Sequence, residues 1–504
     1  MILAIAGHSR AATVTAKSVS LVDVNTAVSL ANDGDIVSVP AGQATWSQAL
    51  VVSKPITLQG AGIGQTIIVD GLKADGNLIA WTATNVPGKL AGVAPPTHRL
   101  TGFEFTNGNL HTSIWLKGCV LMTGTSKAVR IDHCKFTTVQ NRGLYFRGAI
   151  CGVVDHCTFL TNHNINPLVL EHGAWPDATG KAGYEGDGSW NSPLEWGGPN
   201  QLVVEDNVFT NVTADSSGLF DQYAGARSTF RYNTVTDLNY ADHGTGSSGR
   251  MRSHRLWEVY NNTFTTANGR FDAAEWMQVR GGTGVVFNNT STNFAKAITL
   301  HTYRYHTAFD FWPGSDGTSG WDVNDPTIYL SGTAGTGSGD WTLVVTGAKW
   351  ATDHWKGYAV RDTASSSMYP NGFFSTVVSN TADTITVEKG TQVIDKPFKA
   401  GDHFEIRKVM QGLDMIGAST GDLLASTATP TPVQLHQKIE PAYIWNNTKD
   451  GVLNGGVAIP IDSPITEGVH FFNGTPKPNY KPYTYPHPLT APAPPTDLTI
   501  AAGL

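Results

Sequence analysis

One short pattern recurs along this chain and constrains its fold more than any other feature. A short alternating segment ends in an asparagine or a cysteine, usually with a hydrophobic residue two places later. The marked positions are Cys134, Cys157, Asn207, Asn233, Asn262, Asn289, Asn447 and Asn473. Five of the seven intervals lie between 23 and 29 residues, and the other two are 50 and 158 residues. This period of short strands predicts an all-β chain whose successive coils stack as a right-handed parallel β-helix.

The stretches "VRIDHCKF" and "GVVDHCTF" repeat the sequence Asp-His-Cys and allow two interpretations. In one, the two histidines and two cysteines (His133, Cys134, His156 and Cys157) hold a zinc ion. In the other, the cysteines are rungs of a ladder in which each asparagine amide bonds to the next coil. Zinc needs ligands that converge on one point, whereas stacked rungs carry their side chains in parallel. We therefore expect the ladder; a disulfide between the two cysteines is compatible with it but not implied.

The composition argues against several classes of function. The chain has 504 residues and a formal net charge of −7, and only 15% of its residues are charged. Because it has no Lys/Arg-rich run, we do not expect nucleic acid as a partner. No apolar run approaches the roughly 18 residues that a membrane-spanning helix needs, so we expect no membrane partner. Four cysteines are too few for a disulfide scaffold. The sequence does not indicate an oligomeric state.

The period breaks in the 158-residue interval, which predicts an inserted unit. There the chain alternates in the manner of antiparallel strands separated by Gly, Asn and Asp turns. The expected organisation is a leader or signal remnant (1–18), the first part of the β-helix (19–313), the inserted antiparallel β module (314–409), the last coils (410–490) and a Pro-rich tail (491–504). In the module, Trp341, Trp350 and Trp355 can stack on sugars, although tryptophans of small β units more often fill the core.

Several segments resemble the pectate-lyase-like β-helix superfamily, in particular its uncharacterised bacterial and phage members. The segments "AVSLANDGDIVSVPAG" (27–42) and "KPITLQGAG" (54–62) are similar to the N-terminal cap helix and first coil of those proteins. "RIDHCKF" resembles the strand and turn of their coils, and "YKPYTYPHPL" (480–489) resembles their closing segment. The resemblance covers about 20–312 and 411–490 and implies the same fold, in a protein that acts outside the cell or on a virion. It does not identify the reaction, because the superfamily includes lyases, hydrolases, esterases and phage tailspikes.

Counting back from each rung across a short Gly-containing turn places five strand ends in one outward column. They are Arg147, Trp196, Tyr223, Arg252 and Arg280, and two places earlier come Tyr145, Leu194, Asp221, Arg250 and Gln278. Guanidinium groups bind carboxylates through paired hydrogen bonds, and aromatic faces suit the apolar side of a pyranose. Coils spaced by about 4.8 Å make this a strip of about 20 Å, which predicts a groove for an acidic polysaccharide. The alternative is a solvated sheet on which each arginine pairs with a neighbouring carboxylate.

β-Elimination is the reaction that this column suits best. It needs a group that neutralises the uronate carboxylate, a base for the C5 proton and an acid for the leaving oxygen. The predicted catalytic residues are Arg252, His243, Arg280, Tyr223 and Asp221, and the predicted substrate-binding residues are Arg147, Trp196, Arg250, Gln278, Glu275, His301 and Arg304. His243 is the preferred base, because its Gly-rich loop (240–255), which also holds His254, leads directly into two arginines of the column. Pectate lyases, which this scheme resembles, combine an arginine base with bound Ca²⁺. The column itself requires no cofactor, because arginine can neutralise the carboxylate, but it is compatible with Ca²⁺. For that ion it offers only Asp221, and the loops add Glu171, Asp187 and Asp242.

Two other functions stay open at this stage. A glycoside hydrolase needs two carboxylates on either side of the scissile bond, and Asp221 with Glu275 or Asp272 can form such a pair. The Asn-Thr-Asp, Asp-Asp and Gly-His-Gly motifs of the β-helix polygalacturonases do not occur in the sequence. A non-catalytic glycan-binding or tailspike-like protein needs only the groove.

Overall fold

The computed structural model describes most of the chain. The described residues are 11–73, 76–84, 96–108, 118–137, 142–161, 166–176, 186–213, 218–242, 252–267, 275–301, 328–339, 341–356, 358–363, 373–387, 398–407, 414, 416–417, 439–459 and 465–491. Almost all regular structure in these ranges is β-strand, as the sequence predicts; the α-helices are α1 (Leu21–Leu30) and α2 (Asp187–Asn191). Neither of these helices is long and apolar enough to cross a membrane.

The largest sheet is parallel and has sixteen strands. They are β1 (Thr13–Thr15), β2 (Ile36–Ser38), β4 (Leu50–Val52), β5 (Thr57–Gln59), β7 (Ile79–Ala83), β8 (His98–Thr101), β10 (Val120–Asp132), β12 (Leu144–Asp155), β14 (Leu168–Glu171), β15 (Leu202–Glu205), β17 (Phe220–Tyr223), β18 (Arg227–Arg231), β21 (Leu256–Tyr260), β24 (Thr283–Phe287), β33 (Ala442–Trp445) and β37 (Phe471–Asn473). Strand β12 spans two rows, because its first half pairs with β14 and its second half with β15; β10 does the same with β7 and β8. We call the strands β7, β14 and β17, with the first halves of β10 and β12, the β14 row. The β18 row consists of β8, β15, β18, β21, β24 and β33, with the second halves of β10 and β12.

Two further sheets complete the repeating part of the chain. The second sheet has the strands β3 (Gly42–Trp46), β6 (Thr66–Asp70), β9 (Glu104–Asn107), β11 (Lys135–Thr137), β13 (Thr158–Thr161), β16 (Val208–Asn211), β19 (Thr234–Thr236), β22 (Thr263–Thr265), β25 (Thr290–Thr292), β34 (Thr448–Lys449) and β35 (Val452–Leu453). A short parallel sheet has β20 (Tyr240–Ala241), β23 (Glu275–Val279), β26 (Lys296–Leu300) and β36 (Val457–Ala458). From β8 to β26 the chain runs repeatedly from the β18 row to the second sheet and then to the β14 row or the short sheet. One such passage is a coil.

A two-residue turn joins the β18 row to the second sheet in each coil. Its first residue has a left-handed backbone, with φ between 49° and 57°, at His133, His156, Asp206, Tyr232, Asn261, Asn288 and Asn446. Its second residue is the cysteine or asparagine of the repeat. The backbone N and the Nδ2 of Asn233 lie 2.9 and 3.1 Å from Oδ1 of Asn262, and Nδ2 also donates to two backbone carbonyls. The same bonds link Asn207, Asn262, Asn289 and Asn447 to their neighbours, so the predicted ladder is confirmed.

Cys134 and Cys157 occupy the first two positions of this series as free, buried thiols. Each Sγ donates to the carbonyl of the aspartate two residues earlier, at 3.3 and 3.4 Å. The rings of His133 and His156 stack in parallel outside the turn, with centroids 5.1 Å apart. Among the described residues, no three His, Cys, Asp or Glu side chains are grouped as metal ligands. The Asp-His-Cys repeat is therefore one turn used twice.

The ladder ends differently from the sequence-based expectation. Asn473 is not a rung, because β37 places it opposite Ile444 rather than opposite the rung Asn447. The acceptor for the Asn447 backbone N is Oδ1 of Asn454, at 3.3 Å. Strand β35 turns back antiparallel to β34 at this point, which explains why a repeat based on sequence spacing misplaced the last rung.

The hydrophobic residues two places after the rungs fill the interior. Phe136, Phe159 and Phe209, together with Phe105 of the coil before the first rung, form a stack with successive centroids 5.2, 4.9 and 4.7 Å apart. Helix α1 contacts the first strands of the large sheet and buries Val24, Ala27 and Val28. The helix begins after Ser20, whose side chain accepts a hydrogen bond from the Asp23 backbone N at 3.3 Å, an ordinary N-cap.

The inserted segment forms an antiparallel sheet of six strands. They are β27 (Leu330–Thr333), β28 (Thr342–Val344), β29 (Ala359–Asp362), β30 (Phe373–Asn380), β31 (Thr384–Val387) and β32 (His403–Arg407). These strands enclose a separate hydrophobic core, in which Trp355 is buried and against which Trp341 and Trp350 pack. The three tryptophans therefore contribute to the core of the module.

The closing segment crosses the outer surface of the β18 row. Tyr480 Oη donates to Glu258 Oε2 at 2.7 Å, and the backbone N of His487 donates to Glu205 Oε1 at 2.7 Å. Between these two points, Arg231 donates through Nη1 and Nη2 to two backbone carbonyls of the segment, at 2.6 and 2.7 Å. The segment thus satisfies charged groups of three successive coils.

Candidate active site

Three neighbouring strands of the β14 row bring polar side chains together on one outward face. The register aligns Arg147 of β12 with Glu171 of β14 and Tyr223 of β17. Two residues earlier, the same strands align Tyr145, Val169 and Asp221. The alternate residues, such as Leu144, Phe146, Leu168, Leu170 and Phe220, belong to the hydrophobic core. We call Tyr145, Arg147, Glu171, Asp221 and Tyr223, with the adjacent Arg142, the Glu171 cluster.

Glu171 lies at the centre of this cluster. Its Oε1 accepts hydrogen bonds from the hydroxyls of both Tyr145 and Tyr223, the second at 2.6 Å. The two hydroxyls are 3.2 Å apart. The other carboxylate oxygen, Oε2, is 3.3 Å from Nε of Arg147. The Glu171 side chain is only 8% exposed, whereas that of Arg147 is 68% exposed, so one charged group faces solvent directly over a nearly buried carboxylate.

Asp221 supplies a second carboxylate on the same face. Its Oδ2 is 3.4 Å from Nη2 of Arg142, and the Arg142 guanidinium carbon lies 5.7 Å from the centroid of the Tyr145 ring. Asp221 and Glu171 occupy diagonal positions on adjacent strands. A strand spacing of about 4.8 Å and a rise of about 3.3 Å per residue place their α-carbons about 8 Å apart.

The environment of the cluster keeps both tyrosines protonated. Burial, and next the charge of Glu171, raise the pKa of Tyr145 to about 12. Burial likewise raises the pKa of Tyr223, again with Glu171 as the next cause. Near neutral pH both phenols are therefore hydrogen-bond donors, which fits their contacts with the Glu171 carboxylate.

The structure brings together only part of the column that the sequence predicts. Arg147, Tyr223 and Asp221 are neighbours as expected, but Glu171 lies between the first two. Sequence reasoning considered Glu171 only as a loop acid for Ca²⁺. A signal for its true position exists in the similar segments "GLYFRG" and "PLVLEHG", in which a leucine begins the strand and Arg147 or Glu171 follows it by three residues.

Trp196 does not belong to the column. It follows α2 and packs beside Tyr260, Phe287 and Tyr480 at the surface of the β18 row, and Nζ of Lys477 lies 4.3 Å from its ring centroid. The 50-residue interval contains an insertion after β14, so the strand of this coil lies about 25 residues earlier than "PLEW". Counting back from the next rung therefore selected the wrong segment.

Arg252 also lies elsewhere than predicted. Its side chain is 1% exposed and forms an ion pair with Asp414, with Nη2 and Oδ1 2.7 Å apart. Its guanidinium carbon lies 4.5 Å from the centroid of the Trp190 ring. The strand of this coil is β20, which precedes Arg252 by more than ten residues. A buried guanidinium that is already paired does not face the outward groove, and its partner lies beyond the inserted module, where local spacing gives no sign of it.

The remaining described candidates belong mainly to the short sheet. Arg280 is half-buried at the end of β23 and donates through Nε and Nη2 to Gln278 Oε1, at 3.1 and 2.8 Å. Glu275 is buried at the start of the same strand, opposite Lys296. His301 follows β26 and is half-buried. Glu275 and Arg280 thus belong to β23 and its end, and His301 to the end of β26, whereas the Glu171 cluster lies on or beside β12, β14 and β17. His243, Arg250, Asp272 and Arg304 lie outside the described residues.

Asp242 and His254 form a buried pair, with Oδ2 and Nδ1 3.7 Å apart. Burial raises the pKa of Asp242 and lowers that of His254, so both groups are shifted toward their neutral forms. This arrangement does not suit Asp242 to hard-cation binding at the surface.

No protein-family model matches the sequence, and none of the curated proteins matches it.

Proposed function

We propose that this protein is a polysaccharide-cleaving enzyme, built on a right-handed parallel β-helix, with the Glu171 cluster as its active site. The observation that supports the site is the pair of carboxylates, Glu171 and Asp221, on one outward face between phenol and guanidinium groups. The β-helix is supported by parallel sheets that the chain visits in a constant order, coil after coil. An enzyme of this kind meets its substrate outside the cell, or at a host surface if it belongs to a virion.

Hydrolysis is the reaction that the two carboxylates favour. Inverting glycosidases hold their carboxyl groups roughly 6.5–9.5 Å apart, which leaves room for the attacking water. The diagonal positions of Glu171 and Asp221 fall within this range if their side chains project in parallel. Because both phenols donate to Glu171, its carboxylate is oriented as a proton acceptor, as the base that activates water must be. Asp221 is the other carboxyl group on this face, so the role of the acid that gives its proton to the leaving oxygen falls to it.

β-Elimination is the second candidate, and Arg147 favours it. Its largely exposed guanidinium is placed to neutralise the carboxylate of a uronate unit. The raised pKa values of Tyr145 and Tyr223 argue against a tyrosine base, because each phenol would have to lose its proton beside a carboxylate. Elimination at this cluster would therefore use Glu171 or Asp221 as the base.

The products distinguish the two reactions. Pectate, alginate, glucuronan, glycosaminoglycans and neutral galactan are incubated with the protein, with and without Ca²⁺. Hydrolysis releases reducing ends alone, whereas elimination also creates a C4–C5 double bond conjugated with the carboxyl group, which absorbs in the ultraviolet. We expect reducing ends without new absorbance. New absorbance would replace hydrolysis by elimination, and no cleavage of any polysaccharide would favour the non-catalytic binding protein.

Substitutions locate the site. Glu171→Gln and Asp221→Asn remove the acid–base groups with little change in shape and should lower the rate by roughly 10²–10⁴-fold. The matched control is Glu104→Gln on the second sheet. Glu104 is 13% exposed and bonds to Lys135 and Thr137, and none of the strands β12, β14 and β17 belongs to its sheet. Loss of activity in the control alone would mean that the active site lies on the second sheet and not at the Glu171 cluster.

A further inference from the structure

A cavity of about 310 Å³ opens beside the Glu171 cluster, where β10 and β12 pass from the β14 row to the β18 row. Its walls include Lys127, Ala149, Trp175, Glu195 and Arg227. The volume is at the lower end of the range of roughly 300–1,000 Å³ that is typical of small-molecule sites. It suits a ligand of one or two sugar units rather than a long chain.

The cavity continues the outward face that carries the candidate active site. Ala149 follows Arg147 by two residues on β12, and Trp175 follows Glu171 by four residues. At a rise of about 3.3 Å per residue, the cavity begins about 7 Å from Arg147. A sugar unit in the cavity would therefore be adjacent to a unit held over the Glu171 cluster.

Arg227 gives the cavity a buried cation. Its side chain is 1% exposed, and its pKa is lowered to about 9, chiefly by burial. It donates through Nε to Ser189 Oγ at 2.9 Å and otherwise to the backbone carbonyls of Ser189, Ser192 and Pro193. These bonds use four of its five N–H groups, and no carboxylate pairs with it among the described residues. A buried cation that only neutral groups satisfy is stabilised further by an anionic partner.

The other walls complete a site for an acidic sugar. Lys127 is exposed and adds a second positive charge, whereas Glu195 is exposed and accepts a hydrogen bond from Asn200. The Trp175 ring is half-buried, with the Arg227 guanidinium carbon 4.7 Å from its centroid. Among these walls, two cations therefore face one carboxylate, and an aromatic ring lies beside them.

We propose that this cavity binds one carboxylate-bearing sugar unit of the substrate, with Lys127 and Arg227 as the groups that recognise the carboxylate. This rests on the proposed function and narrows the substrate to an acidic polysaccharide cleaved next to the bound unit. Trp175 provides the apolar contact for the sugar ring, and Ala149 leaves the space that the ring fills.

Calorimetric titration of the Glu171→Gln protein tests the proposal without consuming the ligand. The probes are tri-galacturonate and tri-mannuronate, with galactotriose, mannotriose and inorganic phosphate as controls. An acidic trisaccharide should bind, more weakly as salt is added, and Lys127→Gln should weaken it by roughly tenfold or more. Ala149→Leu fills the cavity and should abolish binding. Lys356→Gln, the same change on an exposed lysine of the module, should leave binding unchanged.

Several results would overturn the proposal. They are no binding of either acidic trisaccharide at millimolar concentration, equal binding of the neutral trisaccharides or of phosphate, and binding unaffected by both cavity variants in folded protein. The cleavage assay tests the proposed function independently of this cavity. If binding depends on Lys127 but the protein cleaves no polysaccharide, the cavity is a ligand site and the proposed enzymatic function is wrong. If the protein cleaves a polysaccharide but neither cavity variant changes binding, the enzymatic function stands and the cavity is not the ligand site.

Discussion

Two columns of charged and aromatic residues lie on outer faces of the same sheet. We call Glu205, Arg231 and Tyr260 on the β18 row the covered column, and Arg147, Glu171 and Tyr223 on the β14 row the open column. On the β18 row, Glu205 and Arg231 are fully buried and form an ion pair of 2.6 Å. Tyr260 continues this column on the next strand. The closing segment covers the column and satisfies its polar groups. On the β14 row, Arg147 lies over Glu171 with most of its side chain in solvent.

The difference shows what identifies a site on such a surface. A column rich in arginine, carboxylate and aromatic residues occurs on both rows, so its composition alone does not indicate function. On the β18 row every such group is matched within the chain, which is the pattern of a structural contact. On the β14 row a cation remains exposed, and a cavity with a second, buried cation follows it. The open column is the one able to accept a ligand.

The largest loss of stability is expected from a substitution in the covered column. Arg231→Met removes one partner of a buried ion pair and leaves Glu205 without its cation, which typically costs about 3–5 kcal/mol. The matched change on the open column, Arg147→Met, should alter the free energy of unfolding by only about 0.5 kcal/mol. Thermal and urea unfolding of the two variants measure both effects. Equal losses in the two variants would mean that both columns are structural.

The next largest effect is a loss of stability in acid, caused by a histidine of the closing segment that covers the β18 row. Burial lowers the pKa of His487, in the closing segment, to about 4. The folded state therefore resists a proton that the unfolded chain accepts below pH 6.5. The contribution of His487 to the free energy of unfolding is therefore fully present above pH 6.5. It is lost as the pH falls toward 4, and the loss is about 3 kcal/mol.

His487→Asn tests this contribution, because asparagine can still accept the hydrogen bond that the ring accepts from the Leu489 backbone N. The variant should lose stability less steeply between pH 6.5 and 4. Buried His172, whose pKa is lowered to about 3, should leave a residual slope. An unchanged slope would show that the closing segment is not held as described.

Alkali should act on the open column, with a smaller effect. The pKa of Tyr145 is raised to about 12, so its contribution is present below pH 10 and is lost as the pH rises toward 12. The loss is about 2–3 kcal/mol. Tyr145→Phe should reduce the slope of stability against pH above 10 without changing the acid side. A change on the acid side alone would contradict the assignment of this tyrosine to the Glu171 cluster.

Much of the fold could be predicted from the sequence. The left-handed turn before each rung recurs at a nearly constant interval, because each coil needs the same two-residue turn, and Asn233 or Asn262 mark it directly. The antiparallel module could also be predicted from its alternation. Asn473 could not be excluded as a rung, because the reversal of the chain at β35 depends on contacts rather than on spacing.

The candidate site was predictable only in part. Arg147, Tyr223 and Asp221 lie in coils with short turns, where counting back from the rung succeeds. It failed at Trp196, because a long insertion separates β14 from β15. It failed at Arg252 because β20 ends more than ten residues before it, and its partner Asp414 is 162 residues away. Side-chain pairing across such distances depends on how the coils stack, and the local spacing of residues in one sequence does not indicate which side chains will pair.

A crystal structure of the Asp221→Asn protein with an oligosaccharide of the cleaved polysaccharide would locate the substrate. We expect sugar over the Glu171 cluster, with a carboxylate-bearing unit in the cavity beside Lys127 and Arg227. Sugar bound against the closing segment, or on the antiparallel module with the Glu171 cluster empty, would contradict this expectation.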